Sequence, residues 1–179
     1  ETRDDAAGEA FDMVARLLGL GYPGGPAIQR AASEATAPIA MPIADLGDSL
    51  DFSFSGLKTA ALRETERLGP TETRARAADL AAGVQTAVVT PLAEKSVEAC
   101  RRHGVASLVV GGGVAANAEL RRRLTEGCAA AGIDLVLTPL EYCTDNAAMV
   151  AAAGSERLAR GRVDDLSLDV ESMAPIPRL

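Results

Sequence analysis

A short apolar run, Ser107–Val110, enters the triple glycine Gly111–Gly113 and leaves it into the stretch AANAELRRRL. Glycine loses more backbone entropy on folding than any other residue, so three in a row imply a close approach to the main chain. A strand running through glycines into a helix N-terminus suits an anion or nucleotide, because backbone N–H groups and the helix dipole face the ligand. The pattern is neither GxGxxG nor a Walker A loop, since no Gly-Lys-Ser/Thr follows. Asn117 could hydrogen-bond a ligand from the start of the helix. A tight strand-to-helix turn with Asn117 as a plain cap explains the same residues.

A second stretch, EYCTDNAAMV, sets Thr144, Asp145 and Asn146 at a helix start just after another apolar run, Ile133–Thr138. Ligands of open α/β sheets lie outside the carboxyl ends of the strands, so Gly111–Gly113 and Asp145 are expected at one edge. Asp145 could bind a metal or a phosphate-bound metal, or could simply cap the helix. In a third stretch, YPGGP, a turn by default, Gly24 and Gly25 would leave room for a sugar or phosphate. Asp12 shares a helix face with Asp5 and Glu9, carboxylates that are either solvated or facing a cation. His103 is the single histidine and sits at a helix C-terminus, where a cation is favoured. It leaves no His-rich zinc site and no Ser-His-Asp triad. Arg121–Arg123 reads as a solvated helix face able to touch a phosphate backbone.

These residues need elements to hold them. Phe11, Val14 and Leu18 recur at helical spacing, so residues 2–20 form a helix that Thr2 or Asp4 could cap. Pro26 can open a second helix. Residues 36–51 contain prolines and read as a loop. A helix then follows DFSFSG, and GPTETRA is a turn and helix start. Leu80, Val84, Val88 and Leu92 make a buried ridge on a long helix that Pro91 should kink or split and Gly104 should end. From Ser107 onward the chain reads β-α-β-α, with helices over 116–131 and 144–160. Both strands are short and continuously apolar, as in a parallel sheet covered on both faces. Leu166–Val170 could add an edge strand. The expected division is a helical part, 1–105, and a β-α-β-α part with its tail, 106–179. Two strands do not make a stable sheet, so further strands are expected from a part of the protein outside this chain.

Composition narrows the function. The chain is 47% hydrophobic and 24% charged, which is ordinary for a soluble domain. No apolar run reaches the length of a membrane span, and the acidic start ETRDDAAGEAFD is not a signal peptide. The absence of an initiator Met points to a fragment or a processed product. Three widely spaced cysteines without CxxC fit reduced thiols in a cytoplasmic protein. A net charge of −7 means that any nucleic acid must be met by a local basic patch or a basic partner. With no Trp, two Tyr and three Phe, a base-stacking platform is not expected.

In order and at suitable spacing, DDAAGEAFD, LLGLGYPGGP, DFSFSGLKTA, VVGGGVAAN and CTDNAAM closely resemble the C-terminal half of the tRNA N6-adenosine threonylcarbamoyltransferase family. These proteins were formerly called O-sialoglycoprotein endopeptidases. The resemblance implies α/β architecture: part of an actin-like/Hsp70-like ATPase (ribonuclease H-like) lobe, helix-rich with a short parallel β-α-β-α unit. It implies transfer of threonylcarbamoyl from threonylcarbamoyl-adenylate to N6 of adenine 37 in tRNAs that read codons starting with A. Asp12, Gly25 and Asn117 match substrate-binding positions, and Asp145 matches the metal-ligating carboxylate. The family's metal is iron or zinc, with iron expected here. Its two histidine ligands, in an HxxxH motif, belong to the N-terminal half and have no counterpart in this chain. The implied partners are that N-terminal half, a non-catalytic paralogue, an ATPase of the modification complex, and tRNA; no membrane is implied. The chain is expected to be inactive alone. A metalloprotease, the older reading, lacks any HExxH, and a non-enzymatic nucleotide-binding or assembly module is the other alternative.

Overall fold

The computed structural model describes residues 1–167 and 169. The chain divides into two compact units, Glu1–Thr144 and Asp145–Leu179. The first contains α1 (Ala7–Leu17), α2 (Gly24–Ala32), α3 (Ser55–Ala75), α4 (Ala77–His103), β1 (Ser107–Val110), α5 (Ala118–Ala131) and β2 (Asp134–Leu137). The second contains α6 (Ala147–Ala159). The architecture is helix-rich α/β with a short two-stranded parallel sheet. Among the described residues, no helix is long and apolar enough to cross a membrane.

The core lies where α1, α2 and α3 pack against α4. Phe11, Val14, Ile28, Leu57, Val84 and Val88 are buried there, joined by Leu120 and Leu124 of α5. Full burial of a side chain such as Phe11 contributes about 2 kcal/mol over leaving it exposed. α4 runs through Pro91 as one helix, so of the kink or split expected there the split does not occur. The proline leaves the Ala87 carbonyl without its intrahelical donor and crowds it with the ring, and it lies buried within the long packed helix. Gly104 closes the helix in the left-handed conformation, as expected. α3 turns at Gly69 (φ 74°) before Pro70, which makes two helical segments of it.

The cap of α1 differs from that read in the sequence. α1 begins at Ala7, and the Glu9 carboxylate reaches back to the Ala6 N–H at 3.0 Å. Thr2 instead bridges to Phe52. Asp4 accepts from the Phe54 N–H at 2.8 Å and the Ser55 N–H at 3.3 Å, and so caps α3 across some 50 residues of chain. The acidic face of α1 separates into three duties: Asp5 faces Lys58, Glu9 caps, and Asp12 meets Gly24. Residues 36–51 are irregular, as expected, but they are pinned to α4. Asp79 accepts from the N–H groups of Thr36 and Ala37, and a Cβ on Gly83 would lie 1.7 Å from the Ile39 carbonyl oxygen.

β1 and β2 pair in register, Leu108 with Leu135 and Val109 with Val136. Leu108, Val110 and Leu135 pack toward the core, whereas Val109 and Val136 are 70% and 54% exposed. Among the described residues the sheet is therefore covered on one face only, a correction to the two-sided cover read from its apolar runs. Side chains alternate across a strand, so a continuous apolar run supplies an apolar residue to both faces whether or not anything covers the second. The expected edge strand at Leu166–Val170 falls partly outside the described residues; Leu166 and Ser167 form a turn.

Candidate functional site

One cavity of about 410 Å³ opens between the first half of α1, the start of α2 and the loop after β1. Its walls include Asp12, Gly25 and Asn117 together with Phe11, Pro23, Pro26, Gln29, Gly113, Val114 and Thr144. Most of that surface is apolar with a few converging polar groups, the usual make-up of a small-molecule site of this size.

The α1–α2 corner carries the carboxylate. After α1 the chain turns through a cis Tyr22–Pro23 peptide into α2. The Gly24 N–H donates to Asp12 Oδ1 at 2.7 Å, and a Cβ at Gly24 would lie 2.4 Å from the Asp12 Cα. Asp12 Oδ2 has no hydrogen-bond partner among the described residues, so the carboxylate keeps acceptor capacity for a ligand hydroxyl. Gly25 needs to be glycine for neither reason: its φ is not positive, and a Cβ there would meet nothing within 4 Å. In a helix such a glycine costs about 1 kcal/mol relative to alanine. The space that it leaves belongs to the cavity.

The triple glycine divides its duties. A Cβ on Gly111 would press on Thr138 Oγ1 at 3.3 Å, and Gly112 sits at φ +93°. Gly113 faces open space and lines the cavity. A short 3-10 turn, Gly113–Ala116, separates these glycines from α5. Asn117 caps α5 through Oδ1, which accepts from the Leu120 N–H at 3.0 Å. Its Nδ2 donates to Gln85 Oε1 at 3.0 Å. Gln29 Oε1 accepts from the Ala118 N–H at 2.7 Å. Two first-turn donors of α5 are thus already satisfied by side chains, so the glycine loop contributes room and shape more than a free anion-binding helix end. The cap reading of Asn117 holds, and one Nδ2 hydrogen remains for a second acceptor.

A family model described as tRNA N6-adenosine threonylcarbamoyltransferase matches residues 1–152. The chain belongs to this family. Relatives of that name include a Sorangium cellulosum protein, 48% identical over 99% of this chain and 51% of its own length. One from Thiobacillus denitrificans is 50% identical over 96% of this chain and 51% of its own. One from Rippkaea orientalis is 47% identical over 98% and 53%. The chain spans about half the length of the curated relatives it matches.

Asp12, Gly25 and Asn117, widely separated in sequence, line one cavity of the first unit. Asp145 opens the second unit, where it is exposed. It does not cap α6: Asn146 Oδ1 accepts from the Met149 N–H at 2.9 Å. Among the described residues, no three His, Cys, Asp or Glu side chains converge as a metal site. One exposed carboxylate does not by itself fit a resident divalent ion.

Sequence reasoning missed Gln29 and Gln85, and it read Arg121 differently. Gln29 follows Gly25 by four residues on one helix, a spacing that does put both on one face. Gln85 had no signal, because it reaches Asn117 from 32 residues away. Arg121 was read as part of a solvated face. It is instead half-buried and donates to the Ala115 and Thr138 carbonyls, while Arg122 and Arg123 pair with Glu119. Hydrogen bonds from the Arg122 guanidinium, with a second contribution from Arg123, hold the Glu119 carboxyl at about 2, against an ordinary 4.5.

Proposed function

We propose that this chain is the C-terminal part of an enzyme that transfers threonylcarbamoyl from threonylcarbamoyl-adenylate to N6 of adenine 37. The acceptor tRNAs are those that read codons starting with A. The reading is supported by the family match together with a cavity that gathers Asp12, Gly25 and Asn117 from three separate stretches. In this reading the apolar walls take the adenine and ribose of the adenylate. Asp12 Oδ2 accepts from a ribose hydroxyl, and the gap at Gly25 admits the sugar. The fold is then part of an actin-like ATPase lobe.

The donor is a mixed carbamoyl–phosphate anhydride and is already activated, so no covalent nucleophile on the protein is required. The amine attacks the carbamoyl carbon, the C–O bond to phosphate breaks, AMP leaves, and the amine loses a proton. What these residues supply is orientation of the adenylate. Asp145 would add one carboxylate to a divalent ion, iron in preference to zinc, whose other ligands come from the remaining half of the protein. The partners in this proposal are that N-terminal half, a non-catalytic paralogue, an ATPase of the modification complex and tRNA, acting in the cytoplasm.

Transfer to tRNA, measured with this chain alone and with the N-terminal half restored, tests the proposal. Activity only in the completed protein is the expected result, and robust transfer by the 179 residues alone would overturn it. AMP binding without transfer by the completed protein would favour the alternative, a nucleotide-binding module of the complex.

A further inference from the structure

We infer that Arg121 is a positioning residue of the cavity: it staples the loop after β1 to the loop after β2. Its Nε donates to the Ala115 carbonyl at 2.6 Å. Its Nη2 donates to the Thr138 carbonyl and lies 3.3 Å from Cys143 Sγ. Ala115 sits in the 3-10 turn between Gly113 and Asn117, and Cys143 immediately precedes Thr144; all but Ala115 and Cys143 themselves line the cavity. One guanidinium thus fixes two walls that approach the ligand space from different strands.

The chemistry requires arginine. The planar fork presents donors in fixed directions, so it can serve a carbonyl on each loop at once. A lysine ammonium on the same stem is a single point and cannot hold both loops at these distances. Arg121 has no carboxylate partner among the described residues, unlike Arg122 and Arg123. The hydrogen bonds that its guanidinium makes go to the loops. Cys143 is buried, with its thiol 3.6 Å from the Thr138 and Pro139 carbonyls, so its exposure reports directly on whether the second loop is held.

The inference rests on the adenylate reading of the cavity, and the test separates the two. Arg121→Lys and Arg121→Met are made in the full chain. Alkylation by iodoacetamide is mapped to each cysteine by mass spectrometry, and AMP affinity is measured by calorimetry. Cys100 and Cys128 are buried in a separate cluster with Val97 and Ile133, so they report loss of the whole fold. The expected result in both variants is faster labelling of Cys143 alone, with AMP binding weakened about tenfold or more. Unchanged Cys143 protection would overturn the inference. So would a freed Cys143 with unchanged AMP affinity, or labelling of all three cysteines in both variants, which would make Arg121 merely structural. Failure of the unsubstituted chain to bind AMP would instead sink the adenylate reading, and with it the role assigned here.

Discussion

The Asp12 carboxylate and the Gly24 backbone are built against one another: Oδ1 accepts the Gly24 N–H at 2.7 Å, and a Cβ on Gly24 would fall 2.4 Å from the Asp12 Cα. The contact sets both the α1–α2 corner and the carboxylate at the cavity wall. Gly24→Ala must therefore move backbone, and it is predicted to destabilise the fold by roughly 1–3 kcal/mol. Gly25→Ala, one residue on, meets nothing and is predicted to be neutral or to stabilise by about 0.4–1 kcal/mol. Urea unfolding of the two variants checks this; equal losses would refute the asymmetry.

At Gly25 the functional prediction runs opposite to the stability one. Gly25→Arg keeps a folded chain but fills the space beside Asp12, so AMP binding should be lost. Calorimetric titration together with an unfolding midpoint near that of the unsubstituted chain is the expected pair of results. Full AMP affinity in Gly25→Arg would remove this cavity as the nucleotide site.

Asn117 has two separable jobs. Asn117→Asp retains an oxygen for the Leu120 N–H but has no donor for Gln85, and it places a carboxylate beside Gln85 Oε1. Asn117→Ala removes both bonds. The cap alone contributes about 1 kcal/mol, so Ala should unfold at lower urea than Asp. Both should weaken AMP binding if Nδ2 supplies the ligand contact. An Asp variant that binds AMP normally would show that only the cap matters.

Acid should destabilise the chain in a defined window. The Ser53 hydroxyl first, then the Phe54 N–H and Ser55, hold the Asp4 carboxyl at about 2, against an ordinary 3.8. Glu119 is likewise held at about 2, against 4.5. Both are depressed on folding, so their contribution is complete above the unfolded values and is lost as pH falls from about 4.5 toward 2. Asp4→Asn and Glu119→Gln should each flatten the fall in urea midpoint across this window. Asp4 is exposed, which reduces its share through solvent screening. An unchanged pH profile in both variants would contradict the assignment.

The site was legible where one short stretch carries the whole signal. Gly112 needs its positive φ locally, and Asn117 caps the helix that directly follows it; both can be read from neighbouring residues. Gly24 was legible as a turn glycine but not as the partner of Asp12, because that contact closes a twelve-residue excursion. Asp4, one of two candidates with Thr2 for the cap of its own helix, caps α3 instead. Its acceptors are filled by residues 53–55, and nothing local announces a partner so distant.

Local rules also decided the element types. Apolar spacing set the helices, Gly104 ended α4, and the two apolar runs made parallel strands, since these depend on backbone preference and on neighbours within a few residues. The fold alone decided which of several adequate candidates each residue became. Asn146 rather than Thr144 or Asp145 caps α6, and Arg121 rather than Arg122 or Arg123 turns inward to the loops. It also decided that Asp12, Gly25 and Asn117 line a single cavity. The reason is physical: a short-range preference costs the chain about the same wherever it is satisfied, whereas a buried carboxylate or guanidinium is stable only where packing has already brought its partners within hydrogen-bond distance.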